Sequence, residues 1–312
     1  AEVAAKILLD EIKQSLKKAG IKFDAWFSEA GMRKKGELKK VLKFLNKRKL
    51  IKEKDGALWL EDAVIIKSSK EPTYFLADLA YHYDKFIKRK FDLAINVWGA
   101  DHHGYVERMK KGVEGLGVRS ERLKIIIMQL VRLTSGGKEV RMSKRAGEFV
   151  ALDDLLKEVG ADAARWFFLE RSPDTHMDFN LDLAKEHSKK NPVYYVQYAH
   201  ARACSILRKS EIRSQKSEAL NLLTKPEELN LIKKILQLTE IVEDIAEDYQ
   251  VHRLPRYAYE LAQTFTGFYE KHRVIDPKNK ELTRARLFLV SATQKTIKSA
   301  LSLMGIAAPE KM

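Results

Sequence analysis

The 312-residue sequence predicts an α/β region followed by an all-α region. Three observations carry this. Between about residues 63 and 133, short and nearly continuous apolar runs alternate with helical periodicity, the pattern of a parallel sheet covered on both faces. From about Asp153 onward the apolar spacing stays helical almost to the end, with no further strand signal. The first 62 residues read as a small α+β insertion. The expected division is therefore an insertion at 1–62, an α/β half at 63–150, a helical connector at 151–190 and a helical bundle at 191–312.

In chain order, Val3, Ile7, Leu8, Ile12 and Leu16 mark an amphipathic helix over 2–19, stopped by Gly20. Leu38, Val41, Leu42 and Leu45 mark a second helix from about Gly36 to Lys49. Asp55-Gly56 between two short alternating runs predicts a hairpin. "AVII" at 63–66 reads as a buried strand before Pro72, and "TYFLADLAYHYDKFIKRK" as a helix. "FDLAINVW" is a strand cut off at Gly99, residues 105–116 a helix, and "LKIIIMQLVRL" a third strand. "DDLLKEVG" and "ADAARWFFLERS" are two more helices, and long amphipathic segments follow "NPVYYVQYAHAR".

The charge is the first functional hint. A net charge of +15 and a pI near 9.6 favour a polyanionic partner, because neutralising phosphates releases counterions. Residues 1–60 hold sixteen Lys and Arg against eight Asp and Glu, so over half the excess sits in the first fifth of the chain. Such runs are commonly solvated helix faces, but the asymmetry tips toward RNA. No run of about 18 apolar residues occurs, and the opening "AEVAAKILLDEIKQ" is amphipathic, so a cytoplasmic chain with no membrane partner is expected. Cys204 is the sole cysteine; it permits no internal disulfide or thiolate zinc cluster and reads as part of a buried helix face.

Three stretches carry chemistry. "WGADHHGY" places Gly99, Asp101, His102, His103 and Gly104 between a strand and a helix, where ligands bind in open α/β sheets. The glycines admit a ring or ribose, and the Asp and imidazoles can hydrogen-bond its hydroxyls and ring nitrogens. A nucleotide is the favoured occupant, against structural capping or a metal; adjacent histidines on a tight turn rarely converge on one ion. "TYFLADLAYH" aligns Tyr74, Asp78 and His82 on one helix face. A carboxylate on so apolar a helix is unfavourable unless paired. Either Asp78 caps a neighbouring element, or it waits for a cation, which a guanidinium would satisfy through a two-pronged bond with Tyr74 alongside. "SGGKEVRMSKRAGEF" contains Lys138, Arg141, Lys144 and Arg145 beyond the third strand. The competing readings are a solvated basic turn and a loop whose Lys144 ammonium meets an α-phosphate during nucleotidyl transfer.

At these residues the sequence resembles the arginyl-tRNA synthetases. "RMSKR" at 141–145 is similar to the KMSKS signature of class I aminoacyl-tRNA synthetases, with Lys144 at its second lysine. "PTYFLADLAYH", "WGADHHGYVERMK", "RMSKRAGEFVALDDLLKEVGADAARWFFLERSPD", "NPVYYVQYAHAR" and the terminal "LMGIAAPEKM" extend the likeness over roughly residues 1–312. The resemblance implies a Rossmann-like nucleotide-binding half carrying an α+β insertion, then an α-helical anticodon-binding bundle. It implies ATP-dependent joining of arginine to give arginyl-adenylate, with Mg2+, and transfer to tRNA(Arg) by an enzyme that is a monomer at full length. Carried over position by position, Tyr74 and Asp78 contact arginine, while Gly99, Asp101, His102, His103 and Met142 line the ATP site. Arg141, Ser143 and Lys144 form the catalytic loop. Tyr194, Tyr195, Gln197 and Arg202 face tRNA, although the tyrosines fit a core role equally well. No metal-binding side chains are implied.

The family's His-x-Gly-His signature is missing among the eight histidines. So is the sheet half that should precede an insertion. The chain is therefore expected to be the C-terminal portion of such an enzyme, able to bind tRNA but not to form the adenylate. Arginine-dependent pyrophosphate exchange by the chain would refute that. The alternatives are a non-catalytic RNA-binding fragment and a class I synthetase for another amino acid, which Asp78 argues against. The whole reading requires Asp78 and Lys144 at one rim of one sheet.

Overall fold

The computed structural model describes residues 2–140, 151–210 and 220–312. Along the chain run α1 (Glu2–Lys18), α2 (Glu29–Lys34), α3 (Glu37–Lys47), β1 (Ile51–Lys54), β2 (Ala57–Leu60), β3 (Ala63–Ile66), α4 (Tyr74–Tyr83), β4 (Ala94–Gly99), α5 (Val106–Gly115), β5 (Leu123–Met128), β6 (Val131–Ser135) and β7 (Lys138–Glu139). Then come α6 (Leu152–Val159), α7 (Ala161–Leu169), β8 (Met177–Asn180), α8 (Leu181–Lys185), α9 (Pro192–Lys209), α10 (Pro226–Asp248), α11 (Arg253–Lys271) and α12 (Lys280–Leu303). They form two compact units, residues 23–130 with 173–176, and residues 1–22, 131–172 and 177–312.

The smaller unit is built on α4. Thr73 caps it by accepting from the Leu76 amide, and its Phe75, Leu76, Leu79 and Ala80 are buried. Around them pack Val41 and Leu45 of α3, Ile65 of β3, Met109 and Val113 of α5 and Leu123 of β5. Helix α5 approaches α4 through Gly112, where a Cβ would stand 2.5 Å from Leu79 Cδ2. The expected hairpin is present, with Asp55 and Gly56 both at positive φ as a two-residue turn of this hand demands. It extends antiparallel to β3, so "AVII" belongs to a β1-β2-β3 sheet and not to the parallel one.

The parallel sheet is accordingly smaller than expected. Within this unit β4 and β5 form the parallel pair, from Ala94 opposite Leu123 to Gly99 opposite Met128. Nor is it covered on both faces: Ile95 is 45% and Val97 62% exposed while Ala94 and Asn96 are buried. The run "LKIIIMQLVRL" breaks at Gln129-Leu130, and its second half, β6, joins a β7-β6-β8 sheet in the other unit. Strand β8, within "THMDFN", falls where only helices were expected. It pairs in parallel with β6 and buries Met177 and Phe179.

The larger unit is mostly helical. Trp166, Phe179, Tyr257, Phe265, Phe268, Leu287 and Leu301 sit in its core, drawn from α7, β8, α11 and α12. Cys204 is buried there, as its setting predicts. Residue by residue, α1 matches its predicted span, yet it belongs with this unit and not with the hairpin module. Ser15 and Lys18 hold Asp153 of α6 at 2.5 and 2.7 Å. Its apolar stripe, Val3, Ile7, Leu8 and Ile12, remains exposed. After α12 the chain returns across α7 and α9: Arg165 donates to the Met304 carbonyl, Gln197 to that of Ala307 and His200 to that of Pro309.

Candidate functional site

The smaller unit encloses a cavity of about 930 Å³ over the first two turns of α4, walled by Arg33, Trp59, Tyr74, Asp78, His102 and Arg108 among others. Asp78 is half-buried. Its Oδ2 accepts from the Tyr105 hydroxyl at 2.8 Å. Burial, with Glu29 nearby, raises the Asp78 pKa against the lowering pull of that hydrogen bond. Burial and the adjacent Asp78 charge likewise push Tyr105 upward, so the phenol stays a donor. Its ring is held edge-on by Phe75 at 6.0 Å and at a 36° tilt by Trp98 at 5.6 Å. The carboxylate thus has one oxygen occupied, while Oδ1 has no hydrogen-bonding side chain among the described residues. That arrangement favours a cation entering from the cavity.

Sequence reasoning paired Asp78 with Tyr74. The structure places Tyr74 at the rim, 83% exposed, and makes Tyr105 the hydrogen-bonding partner. Tyr105 was missed because it lies 27 residues away; only its adjacency to "HHG" hinted at it.

Behind Asp78 runs a buried relay that sequence spacing did not reveal. Lys85 Nζ donates to Asn96 Oδ1 at 2.9 Å, Asn96 Nδ2 to His82 Nε2 at 2.9 Å, and His82 Nδ1–H to the Asp78 carbonyl at 2.7 Å. Each donor meets an acceptor only if His82 is neutral with its proton on Nδ1. Burial, reinforced by Lys85, lowers the His82 pKa to about 4. Lys85 itself is lowered to about 8 by burial and by Arg89, and lies 4.2 Å from the Tyr81 ring centre. It sits on a single π-helical turn, Asp84–Lys88, which continues α4 and turns the ammonium toward β4. The relay ties α4 to the strand that leads into the Gly99 turn.

This relay has a consequence for stability. A base whose proton affinity is depressed by folding contributes fully above its unfolded value near 6.5, and the contribution is lost as pH falls toward about 4. Stability of the smaller unit should therefore fall with acidity between pH 6.5 and 5, at a slope approaching 1.4 kcal/mol per pH unit, roughly the value of one proton. His82→Gln should flatten that slope in urea titrations. An unchanged slope would show that another group governs this window.

The turn after β4 is as expected, with the 3-10 helix Ala100–Tyr105 following Gly99. Asp101 is exposed and stands 3.5 Å from His102 Nε2. A Cβ on Gly99 would meet Asp101 Oδ1 at 2.6 Å, so the glycine lets that carboxylate fold back over the strand end. His102 lines the cavity with Tyr74 and Asp78, whereas Gly99, Asp101 and His103 do not. Arg141, Met142, Ser143, Lys144 and Arg145 lie outside the described residues. Among the described residues no cluster of three or more His, Cys, Asp or Glu could hold a metal.

The other predicted residues lie on α9 in the helical unit. Tyr194 packs edge-on to His187 at 5.8 Å. Tyr195 lies against Tyr259 at 5.2 Å, its hydroxyl 3.2 Å from Thr266 Oγ1. Gln197 is engaged within the fold, donating to Asp162 at 2.8 Å and to the Ala307 carbonyl at 2.9 Å. Arg202 lies over the rings of Tyr198 and Tyr269, 5.2 and 5.4 Å from their centres, beside a cleft shared with Arg208. Tyr269 is the residue here that sequence reading missed.

Comparison with known proteins divides the chain differently, at α9 and not between the two compact units. The sequence model of "tRNA synthetases class I (R), catalytic domain" matches residues 2–200, and that of the "DALR anticodon binding domain" matches 196–312. Relatives named arginine–tRNA ligase include those of Carboxydothermus hydrogenoformans, 46% identical over 328 residues, and Bacillus subtilis, 45% identical over 322. Each match takes in all of this chain, and the chain spans 58% of the length of each relative. A solved structure from Campylobacter jejuni, described as an arginyl-tRNA synthetase, superposes with a TM-score of 0.88 at 35% identity over all of this chain and 69% of that one. Thermus thermophilus arginyl-tRNA synthetase shares the fold at a TM-score of 0.84 and 23% identity, over 100% of this chain and 64% of that one. The architecture is that of a class I catalytic domain followed by a helical domain, and the chain belongs to the arginyl-tRNA synthetase family.

Proposed function

We propose that this chain serves an arginine–tRNA ligase, which activates arginine with ATP as arginyl-adenylate and passes it to tRNA(Arg). The observation that carries this reading is the Asp78 carboxylate, half-buried in a cavity with a single hydroxyl partner. A guanidinium supplies the missing donors in a geometry an ammonium cannot match. Tyr74 at the rim closes over the aliphatic part of arginine, and the Gly99–His103 turn receives ATP. Arg141, Ser143 and Lys144, with Met142 beside them, act on its phosphates. Mg2+ travels with those phosphates, which supply most of its ligands. Tyr194, Tyr195 and Arg202 offer stacking surfaces to tRNA, and Gln197 orders the C-terminal segment beneath them. The full-length enzyme is read as a cytoplasmic monomer; no described helix is long and apolar enough to cross a membrane.

The test is binding of the chain to tRNA(Arg) and to a tRNA of different identity, followed by fluorescence anisotropy from 50 to 300 mM salt. The expected result is tighter binding of tRNA(Arg), with a log–log salt slope of several units as about one counterion per phosphate contact is released. Equal affinity for both tRNAs would remove the assignment. A second reading, a tRNA-binding fragment without catalysis, is favoured by the charge of +15. The two separate on arginine, which that fragment has no reason to bind.

A further inference from the structure

Between α10 and α11 lies a trough of about 610 Å³ whose lining residues, Gly267 apart, all carry polar or charged side chains. On α10, Asn230, Lys233 and Gln237 share one stripe, three and four residues apart; on α11, Gln263 and Gly267 stand one turn apart. The acids at its edges are already engaged. Glu227 takes Lys271 and His272 at 2.7 and 3.0 Å, and Glu260 takes Lys234 and Arg256 at 2.5 and 2.9 Å. The side chains of Asn230, Lys233, Gln237 and Gln263 have no partner among the described residues.

Gly267 supplies the independent argument. Inside a 19-residue helix, glycine loses stability relative to alanine through its backbone entropy. A Cβ there would meet no heavy atom within 4 Å, so nothing in the fold demands its absence. The space opens onto the trough. Three carboxamides around it can pair with donors and acceptors along a planar edge, and Lys233 brings a cation for an adjacent phosphate. An apolar protein helix would have to cover unpaired carboxamides and an ammonium here, which is unfavourable, and a basic partner would meet a chain of the same sign.

We propose that this trough seats one unpaired nucleobase from a single-stranded loop of the tRNA, apart from the aromatic residues of α9. Single-stranded loops expose the base edges that duplexes conceal. The inference rests on the tRNA-binding reading above, and the experiment separates the two. The full chain, Gly267→Met and Gln263→Ala are titrated with tRNA(Arg) and with tRNA(Arg) carrying an abasic site at each loop position in turn. Thermal melts by circular dichroism confirm folding of each variant. The expected result is a tenfold or greater loss for Gly267→Met at unchanged or raised melting temperature, and a smaller loss for Gln263→Ala. A single abasic position should reproduce the Gly267→Met loss and add nothing to it. If the unaltered chain binds tRNA(Arg) and both variants bind as tightly, the trough is not a base site, although the tRNA-binding reading stands. If the unaltered chain does not bind, both fall.

Discussion

Arg286→Met is expected to destabilise the helical unit by about 3–5 kcal/mol, the usual cost of stranding one member of a buried ion pair. Glu228 is 0% and Arg286 7% exposed. Arg286 Nε donates to Glu228 Oε1 at 2.8 Å and a terminal nitrogen to the Arg273 carbonyl at 2.8 Å, while Glu228 also accepts from the Lys225 amide at 2.9 Å, closing the first turn of α10. One pair therefore joins three segments: the start of α10, the loop after α11 and the body of α12. For a unit of this size the loss corresponds to roughly 6–20 °C in melting temperature. The double variant Glu228→Met/Arg286→Met should recover most of the loss, because the charge that needed the guanidinium is gone. A single variant melting within about 2 °C of the unaltered chain, well below the expected cost, would show the pair to be dispensable.

Asp78→Asn should act in opposite directions on binding and on stability. On the proposed function, removing the charge offered to a guanidinium is expected to weaken arginine binding about 30- to 1,000-fold, the usual cost of truncating a buried charge pair. The same change should stabilise the unliganded chain at neutral pH. Burial raises the Asp78 pKa. An acid so raised favours folding while protonated, and that contribution disappears as pH climbs through its folded value, leaving a penalty at neutrality that asparagine does not carry. Arginine binding by the unaltered chain should accordingly strengthen as pH rises through the same window. Side chains kept at a cost in stability are characteristic of sites used for something else. Urea titration and calorimetry at pH 7.5 check both signs; a variant that is less stable and binds arginine normally would make Asp78 a structural residue.

How much of this could be read from the residues depended on the range of the forces involved. Helix α1 ends where Gly20 adopts positive φ, and the β1–β2 turn sits on Asp55-Gly56, because backbone preference acts within a few residues. Helix periodicity set Tyr74, His82 and Asp78 in one row, but their surroundings differ: Tyr74 is 83% and His82 3% exposed, and between them stands the half-buried Asp78. Its partner escaped, since Tyr105 reaches it only through the packing of α5 on α4 at Gly112. The relay from Lys85 through Asn96 to His82 joins a π-turn to a strand, and no spacing rule encodes such a juxtaposition. The single apolar run 123–133 concealed two strands of different sheets, because periodicity reports burial and not the identity of the neighbour. Likewise the stripe Val3, Ile7, Leu8 and Ile12 predicted a helix correctly while its apolar face stays exposed.

Titration calorimetry of the chain with arginine and with citrulline, its neutral ureido counterpart, isolates the pairing of a guanidinium with Asp78. Arginine is expected to bind, citrulline to bind at least 30-fold more weakly as about 2 kcal/mol is lost, and Asp78→Asn to remove the difference. Equal affinity for the two amino acids, or a preference for arginine that survives Asp78→Asn, would contradict it.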